Sequence, residues 1–366
     1  MQDRRNAFSA VSLFSGAGGM DVGFARAGFN ILLANDIDAD ACATYRLNHP
    51  GEIARGNLLD LDTRKRTGET PIDLVFGGPP CQGFSVAGKM DPDDVRSQLI
   101  HSFMDVVDVL KPRAFVCENV KALAVLTKWG GVREALLARA RESYRVAIVV
   151  LNATEFGVPQ IRERMFLVGL RKNEFLGSDD NLRSFIEAEL LAQKSTPKTI
   201  AEVVRSLGPA GSKSNSRTCA AKITFARSPI MRKSPYAGML FNGAGRPLPS
   251  NKWATTLPAS MGGNKTPIVD EAEIFDGQPS YVEEYHRHLM AGGKPRTGNA
   301  PARLRRLTVD ECIAIQTFPE QYSLAGSRSA QYRQLGNAVP PNLAEAVARV
   351  VAQGLSGGFA LPLAAE

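Results

Sequence analysis

Through the first 170 residues, short apolar runs alternate with amphipathic stretches of helical spacing. No other feature of this sequence limits its fold as strongly. The predicted strands are Ser9–Leu13, Ile31–Ala34, Leu74–Phe76, Ala114–Cys117, Val146–Leu151 and Met165–Gly169. The predicted helices between them include Gly19–Ala27, Ala39–His49, Arg96–Leu110 and Val132–Ser143. This alternation favours an α/β fold with a doubly wound, mostly parallel sheet that is covered on both faces.

Beyond residue 171 the pattern weakens, and Gly, Pro, Ser and Lys dominate to about residue 302. Helical spacing returns at Thr308–Gln316, where Thr308 and Glu311 have the spacing of a capping box, and again at Pro341–Gln353. We therefore predict a first domain over residues 1–172 and a smaller, loop-rich domain over residues 173–318. A C-terminal segment, residues 319–366, is predicted to return to the first domain.

The positive charge of the chain is concentrated in the loop-rich region. Residues 197–265 hold eleven Lys or Arg residues and one acid, Glu202, in a chain of formal net charge +7. A second basic stretch runs from Arg287 to Arg306. A solvated protein face is the alternative for a single charge run. Two such runs in one region favour nucleic-acid binding.

Other classes of protein are disfavoured by what the sequence lacks. No apolar run approaches the length needed to span a bilayer, and the first ten residues have no secretory apolar core. The five cysteines are scattered and odd in number, so reduced thiols and a cytoplasmic location are predicted. His286 and His288 have no further metal ligands at zinc spacing nearby, so no metal is expected.

A glycine-rich turn follows the first predicted strand and opens a helix; it consists of Phe14, Ser15, Gly16, Ala17, Gly18 and Gly19. Such a turn lets a ligand approach the backbone closely. Asp36 follows the second predicted strand, where a carboxylate can accept both hydroxyl groups of a ribose. A dinucleotide fingerprint would require glycine at the position of Asp21. The pattern favours a nucleoside cofactor without pyrophosphate, such as S-adenosylmethionine, although tight strand-to-helix packing is an alternative.

Two further loops carry reactive groups after predicted strands. Cys81 lies in Gly78-Pro79-Pro80-Cys81-Gln82, where two prolines stiffen the chain. A lone cysteine is commonly an inert buried residue, but this one follows a parallel strand, where such sheets bind ligands. Glu118 follows the strand Ala114–Cys117, which places a carboxylate at the same edge unless it merely caps a helix.

A pair of arginines precedes the last predicted strand. In an extended stretch, Arg162 and Arg164 point to the same face. Their guanidinium groups can then converge on one anionic or carbonyl-bearing target. A surface ladder of ion pairs with Glu163 is the alternative.

Six motifs, in order and spacing, resemble those of the DNA cytosine-5 methyltransferases. They are Phe-Ser-Gly-Ala-Gly-Gly (14–19), Gly-Pro-Pro-Cys-Gln-Gly-Phe-Ser (78–85), Glu-Asn-Val (118–120), Gln-Ile-Arg-Glu-Arg (160–164), Arg-Arg-Leu-Thr (305–308) and Gln-Leu-Gly-Asn-Ala-Val (334–339). The resemblance covers about residues 9–170 and 303–352. The basic region between them looks like the variable target-recognition domain of that family.

The resemblance implies a Rossmann-like methyltransferase fold with a catalytic first domain and a target-recognition second domain. It implies methyl transfer from S-adenosylmethionine to carbon 5 of a flipped-out cytosine in a specific DNA sequence, in a restriction-modification system. Cys81 then resembles the nucleophile, Glu118 the residue at ring nitrogen 3 and Arg164 a contact to the activated base. Asn119 and Arg162 look like supports of that site.

The resemblance also implies a cofactor pocket formed by Phe14, Ser15, Gly16, Ala17, Gly18, Gly19, Asp36, Ile37, Asn57, Leu58, Pro79, Asn337, Ala338 and Val339. Asn57 departs from the family, which usually has an Asp there, but an amide can still bond adenine. The predicted DNA contacts are Gln82, Ser85, Arg227, Arg232, Lys233, Lys252, Gly262, Gly263, Asn264 and Lys265. The expected partners are double-stranded DNA and a cognate restriction endonuclease, with a monomer acting on DNA.

Other functions are open from the sequence alone. A related enzyme could methylate RNA, in particular tRNA, by the same chemistry, although the basic insert favours duplex DNA. An NAD-linked oxidoreductase shares the strand and glycine pattern but lacks the Pro-Pro-Cys loop. Adenine methyltransferases would have Asp or Asn before the two prolines, where Gly78 stands. A non-catalytic DNA-binding module would have no use for Cys81.

Overall fold

The computed structural model describes residues 8–80 and 99–357. The chain forms two compact units: the first comprises Met1–Phe156, Glu163–Ser195 and Val339–Glu366, and the second comprises Gly157–Arg162 and Thr196–Ala338. These divisions differ from the predicted boundaries after residues 172 and 318. The helix Asp179–Ala192 packs against the sheet of the first unit, which keeps the chain in that unit as far as Ser195. No helix in the described ranges is long and apolar enough to cross a membrane.

A seven-stranded sheet forms the centre of the first unit, in the order β3-β2-β1-β4-β5-β7-β6. Its strands are β1 (Phe8–Leu13), β2 (Phe29–Asp36), β3 (Glu52–Arg55), β4 (Leu74–Gly77), β5 (Ala114–Val120), β6 (Tyr144–Asn152) and β7 (Glu163–Arg171). Strands β1 to β5 pair in parallel, whereas β7 is antiparallel to both of its neighbours. The predicted mostly parallel α/β fold is confirmed. All six predicted strands are present, and β3 is an addition.

Helices cover both faces of this sheet because successive strand residues point to opposite sides. They are α1 (Gly19–Arg26), α2 (Ala39–Asn48), α3 (Thr63–Thr67), α4 (Leu99–Leu110), α5 (Lys121–Val125), α6 (Gly130–Arg141), α7 (Asp179–Ala192) and α13 (Pro341–Leu355). On one face, Phe24 of α1 stacks on Phe76 of β4 with ring centroids 4.1 Å apart. On the other face, Val75 packs with Phe103 of α4 in a large apolar cluster.

Helices α1 and α13 come from opposite ends of the chain and pack directly against each other. Gly23 permits this contact, because a Cβ atom there would lie 2.5 Å from the backbone nitrogen of Glu345. Arg26 at the end of α1 also pairs with Glu345, at 3.6 Å. The C-terminal helix is therefore an integral layer of the first unit.

The second unit is smaller and rich in loops, as predicted. It contains α8 (Ile200–Leu207), α9 (Glu271–Asp276), α10 (Tyr281–Met290), α11 (Val309–Ile315) and α12 (Arg328–Asn337), with the strands β8 (Phe225–Ile230), β9 (Met239–Phe241), β10 (Ile268–Asp270) and β11 (Leu304–Arg306). The strands form two antiparallel pairs, β8 with β9 and β10 with β11. Its apolar core contains the aromatic residues Phe225 and Phe241 of the first pair and Tyr285 of α10, together with Ile268 of β10 and Leu304 of β11.

A buried polar network organises α11 in the second unit. The predicted capping box of Thr308 and Glu311 is present. The fully buried Glu311 also accepts hydrogen bonds from Arg305 at 2.6 Å and from Asn215 at 3.0 Å. A buried carboxylate is tolerated here because several donors surround it.

Candidate active site

One row of paired backbone positions crosses the sheet just before the loops that carry the predicted site. Leu13 pairs with Asn35 on one side and with Gly77 on the other, and Gly77 pairs with Cys117. The next residues along these strands are Phe14, Asp36, Gly78 and Glu118. The sheet therefore brings these four residues to one level near the carboxyl ends of its parallel strands, where open α/β sheets bind ligands; Glu118, predicted to follow its strand, lies within β5.

The glycine turn has a backbone conformation that is unusual for most residues. Phe14, Gly16 and Gly18 have φ values of 55°, 55° and 78°. Glycine adopts positive φ readily, whereas at Phe14 it is a strained conformation of the kind that clusters at functional sites. Ala17 and Gly19 complete the turn, with Gly19 as the first residue of α1.

Asn35 and Asp36 hold this turn in place. The backbone nitrogen of Ser15 donates to the Asn35 carbonyl oxygen at 3.0 Å, and the backbone nitrogen of Gly16 donates to Asp36 Oδ2 at 2.7 Å. The second carboxylate oxygen of Asp36 accepts from the backbone nitrogen of Asp38 at 2.8 Å. Burial raises the pKa of Asp36. The carboxylate is thus fixed at the edge of the turn.

Asn35 is a positioning residue that the sequence analysis missed. Its side chain is buried and donates to the carbonyl oxygens of Ala54 at 2.9 Å and Gly56 at 3.1 Å. It therefore ties β2 to the loop that carries Asn57 and Leu58. Asn57 uses its side-chain oxygen to accept a hydrogen bond from Leu59, capping the short 3₁₀ helix Leu58–Asp60. In the sequence, the position of Asn35 as a polar residue near the end of an otherwise apolar strand was the signal for this role.

These residues fit a nucleoside-bearing cofactor. Within the described residues, a Cβ atom on Gly16 would meet nothing within 4 Å, so space is open beside the turn. The carboxylate of Asp36 borders that space, and Ile37 next to it is 69% exposed. No group of three or more potential metal ligands is found in the described part of the chain.

Glu118 and Arg164 form an ion pair at the same edge of the sheet. Arg164 Nε lies 2.9 Å from Glu118 Oε1, and both side chains are largely buried. The neighbouring Asn119 donates from its side chain to the Pro79 carbonyl oxygen at 3.3 Å. Gly78 lies against the carboxyl group, since a Cβ atom there would be 2.7 Å from Glu118 Oε2. Glu118, Asn119, Pro79 and Arg164 are thus brought together.

The antiparallel direction of β7 explains how Arg164 reaches this edge. Because β7 runs opposite to β5, its first residues lie beside the last residues of β5, and Arg164 pairs with Val120. Arg162 belongs to the second unit and is buried there. Its guanidinium group donates to the carbonyl oxygens of Gly336 at 3.0 Å and Leu257 at 3.4 Å. The shared target of the two arginines stays a prediction.

Other predicted site residues lie outside the described ranges or at the division between the two units. Cys81, Gln82 and Ser85 lie outside the described residues. Asn337 and Ala338 belong to the second unit, and Val339 belongs to the first.

Apart from Gln82 and Ser85, the predicted DNA contacts lie in the second unit. Arg227, Arg232, Lys233, Lys252, Asn264 and Lys265 are exposed, and Gly262 and Gly263 are partly buried. Gly262 donates from its backbone to the Thr266 side chain at 2.9 Å and packs against Ser329. Gly262 thus shapes the loop, while the side chains of Asn264 and Lys265 are open to solvent.

Comparison with known proteins identifies the family. The profile of C-5 cytosine-specific DNA methylases matches residues 8–353. The Type II methyltransferase M1.HphI of Haemophilus parahaemolyticus is 30% identical over 351 residues, which are 93% of this chain and 86% of that protein. M.AquIA of a Picosynechococcus strain is 39% identical over 224 residues, covering 55% of this chain and 89% of its own.

The fold is shared with solved structures as well. The Dnmt2 methyltransferase of S. pombe has a TM-score of 0.64 at 18% identity, covering 95% of this chain and 98% of its own. Sheet, site and family profile together define an S-adenosylmethionine-dependent methyltransferase. The chain belongs to the C-5 cytosine-specific DNA methylase family and is a DNA cytosine-5 methyltransferase.

Proposed function

We propose that this protein methylates cytosine in a specific DNA sequence through a covalent adduct with Cys81. The observation that carries the proposal is the single row of strand positions that leads into the glycine turn, the Gly78 loop and Glu118. Cys81 follows Gly78 by three residues. The proposal therefore puts the nucleophile three residues after Gly78, which lies against the Glu118 carboxyl group.

The chemistry needs these groups together. Carbon 5 of cytosine is a weak nucleophile until the Cys81 thiolate adds to carbon 6 and converts the ring to an enamine. Glu118 shares a proton with ring nitrogen 3 and so offsets the charge that develops on the ring. Arg164 holds the Glu118 carboxyl group and contacts the activated base. After methylation, a water molecule removes the carbon 5 proton, and cleavage of the carbon–sulfur bond regenerates the thiolate. Arg162 and Asn119 support this site.

S-adenosylmethionine supplies an electrophilic methyl group when it is bound. Asp36 is proposed to hold the ribose, and Phe14 with the turn Ser15–Gly19 the rest of the nucleoside. Ile37, Leu58, Pro79 and the segment Asn337–Val339 are proposed to complete the pocket. Asn57 is proposed to bond the adenine through its amide.

The second unit is proposed to recognise DNA. Its exposed basic residues supply phosphate contacts, and these contacts offset the few kcal/mol that rotating a base out of the duplex costs. Gln82 and Ser85 are proposed to contact DNA near the flipped base. We further propose a cytoplasmic monomer that protects sites cut by a cognate restriction endonuclease.

The test is a covalent trap on DNA that contains 5-fluorocytosine. Fluorine cannot leave as a proton, so the wild-type chain should remain attached to the DNA through denaturing electrophoresis. Cys81→Ser should lose both the trap and methyl transfer while it still binds DNA. Cys219→Ser, a change of the same chemistry in the second unit, should retain both. A Cys81→Ser chain with normal methyl transfer would contradict the proposal. Bisulfite sequencing of host DNA would identify the target sequence.

A further inference from the structure

Asp21 is a carboxylic acid buried in the core directly behind the glycine turn. It occupies the first turn of α1 and has no exposed surface. Its Oδ1 accepts a hydrogen bond from the Tyr45 hydroxyl at 3.0 Å. Its Oδ2 has no hydrogen-bond partner within the described residues. A buried carboxyl group with half of its acceptors unused is costly as an anion, so its presence calls for an explanation.

The groups around Asp21 have opposing effects on its pKa. Burial raises its pKa to about 7, and the nearby charge of Asp36 raises it too. The nearby Ser12 hydroxyl, which makes no hydrogen bond within the described residues, the Tyr45 hydroxyl and the backbone nitrogen of Asp21 lower the pKa and favour the anion. His49 stacks on Tyr45 at 4.2 Å, and burial lowers its pKa to about 4, so it stays neutral near pH 7.

A charge on the predicted cofactor side of the turn changes the pKa of Asp21. The carboxylate of Asp36, which accepts a hydrogen bond from the backbone of Gly16, raises this pKa. A positive charge bound beside Asp36 and the turn must act in the opposite sense and favour the anion of Asp21. S-adenosylmethionine carries a sulfonium charge, whereas its product S-adenosylhomocysteine does not. The two ligands therefore differ in the charge that Asp21 would experience.

We propose that Asp21 is a positioning residue that releases its proton to solvent when the cationic cofactor binds, and that it thereby favours cofactor over product. This inference rests on the proposed cofactor site. Each unit by which the bound cofactor lowers the pKa of Asp21 strengthens binding up to tenfold at a pH above that pKa. The preference for S-adenosylmethionine over S-adenosylhomocysteine should then rise about three- to tenfold between pH 6 and pH 8.

Isothermal titration calorimetry tests this without any turnover. Each ligand is titrated into the full chain at several pH values, in buffers of different ionisation enthalpy, so that released protons are counted. The wild-type chain should release more protons with S-adenosylmethionine than with S-adenosylhomocysteine near pH 7. Asp21→Asn should remove that extra release and flatten the pH dependence of the preference. Asp180→Asn, which changes an exposed acid on α7, should behave as the wild type.

A second variant keeps the test decisive if Asp21→Asn folds poorly. Tyr45→Phe removes the hydroxyl that stabilises the anion, so proton release should move to higher pH. Equal proton release with both ligands, or a release unchanged by Asp21→Asn and Tyr45→Phe, would overturn the role of Asp21. Failure of both ligands to bind would instead overturn the proposed cofactor site.

Discussion

A methyl group added at Gly78 should impair catalysis while leaving the fold intact. The new Cβ atom would lie 2.7 Å from Glu118 Oε2, whereas ordinary contacts of this kind begin at 3.4 Å. The carboxyl group must therefore retreat by about 0.7 Å, because the backbone of a strand end moves less readily than the tip of a side chain. Its ion pair with Arg164, now 2.9 Å long, would be disturbed.

The expected loss follows from the cost of misplacing a catalytic group. A displacement of about 1 Å can cost on the order of 10²-fold in rate, so Gly78→Ala should lower kcat by about 10- to 100-fold. The dissociation constant for S-adenosylmethionine and the Tm should stay close to wild-type values. Methyl incorporation into plasmid DNA measures kcat, calorimetry the dissociation constant, and a thermal melt the Tm.

A matched variant separates this effect from that of any glycine substitution. Gly131 lies in α6, and a Cβ atom there would meet nothing within 4 Å. Gly131→Ala should therefore keep the wild-type kcat. If Gly78→Ala folds normally and also turns over at the wild-type rate, the position of the Glu118 carboxyl group does not limit the reaction, and our reasoning about this site is wrong.

Three further outcomes are expected. The pKa of Asp21 is about 7 in the folded chain against an ordinary 3.8, so the folded state binds the proton more tightly and its stability falls as pH rises from about 4 to about 7. Asp21→Asn should remove this loss. In urea denaturation, the free energy of unfolding of the variant relative to that of the wild type should therefore rise by up to about 4 kcal/mol between pH 4 and pH 8. Glu311→Ala should lower the free energy of unfolding by about 3 to 5 kcal/mol, because Arg305 loses a buried partner; a loss below 1 kcal/mol would contradict this. DNA affinity should fall about 10³-fold or more between 50 and 200 mM salt, and Arg227→Ala with Arg232→Ala should reduce the slope by about two counterions; an unchanged slope in filter binding would exclude both as phosphate contacts.

The pattern of the sequence was sufficient for the sheet because its central strands are continuous apolar runs. Strand β3 was not predicted, since Glu52 and Arg55 at its ends are charged and only Ile53 and Ala54 between them are buried. Such a short edge strand becomes recognisable only when its partner β2 is in place. The turn and Asp36 were predictable because their chemistry is local.

Contacts between distant segments could not be read from spacing. Alternation along an extended chain gave no sign that Arg162 would bond carbonyl groups more than ninety residues away. The roles of Asn35 and Asp21 likewise depend on partners in other elements. A single sequence shows that a residue is polar, but it does not show which distant group will form a hydrogen bond with that residue once it is buried.

The packing of α1 against α13 has a consequence for synthesis. At about 5 to 20 residues per second, the ribosome emits α13 on the order of 15 to 60 s after α1. Throughout that interval α13 does not cover the surface of α1 around Gly23, and this surface is exposed to other molecules in the cell. Molecular chaperones that shield nascent apolar surfaces have that time in which to act, and truncation before Pro341 would leave the same surface exposed permanently.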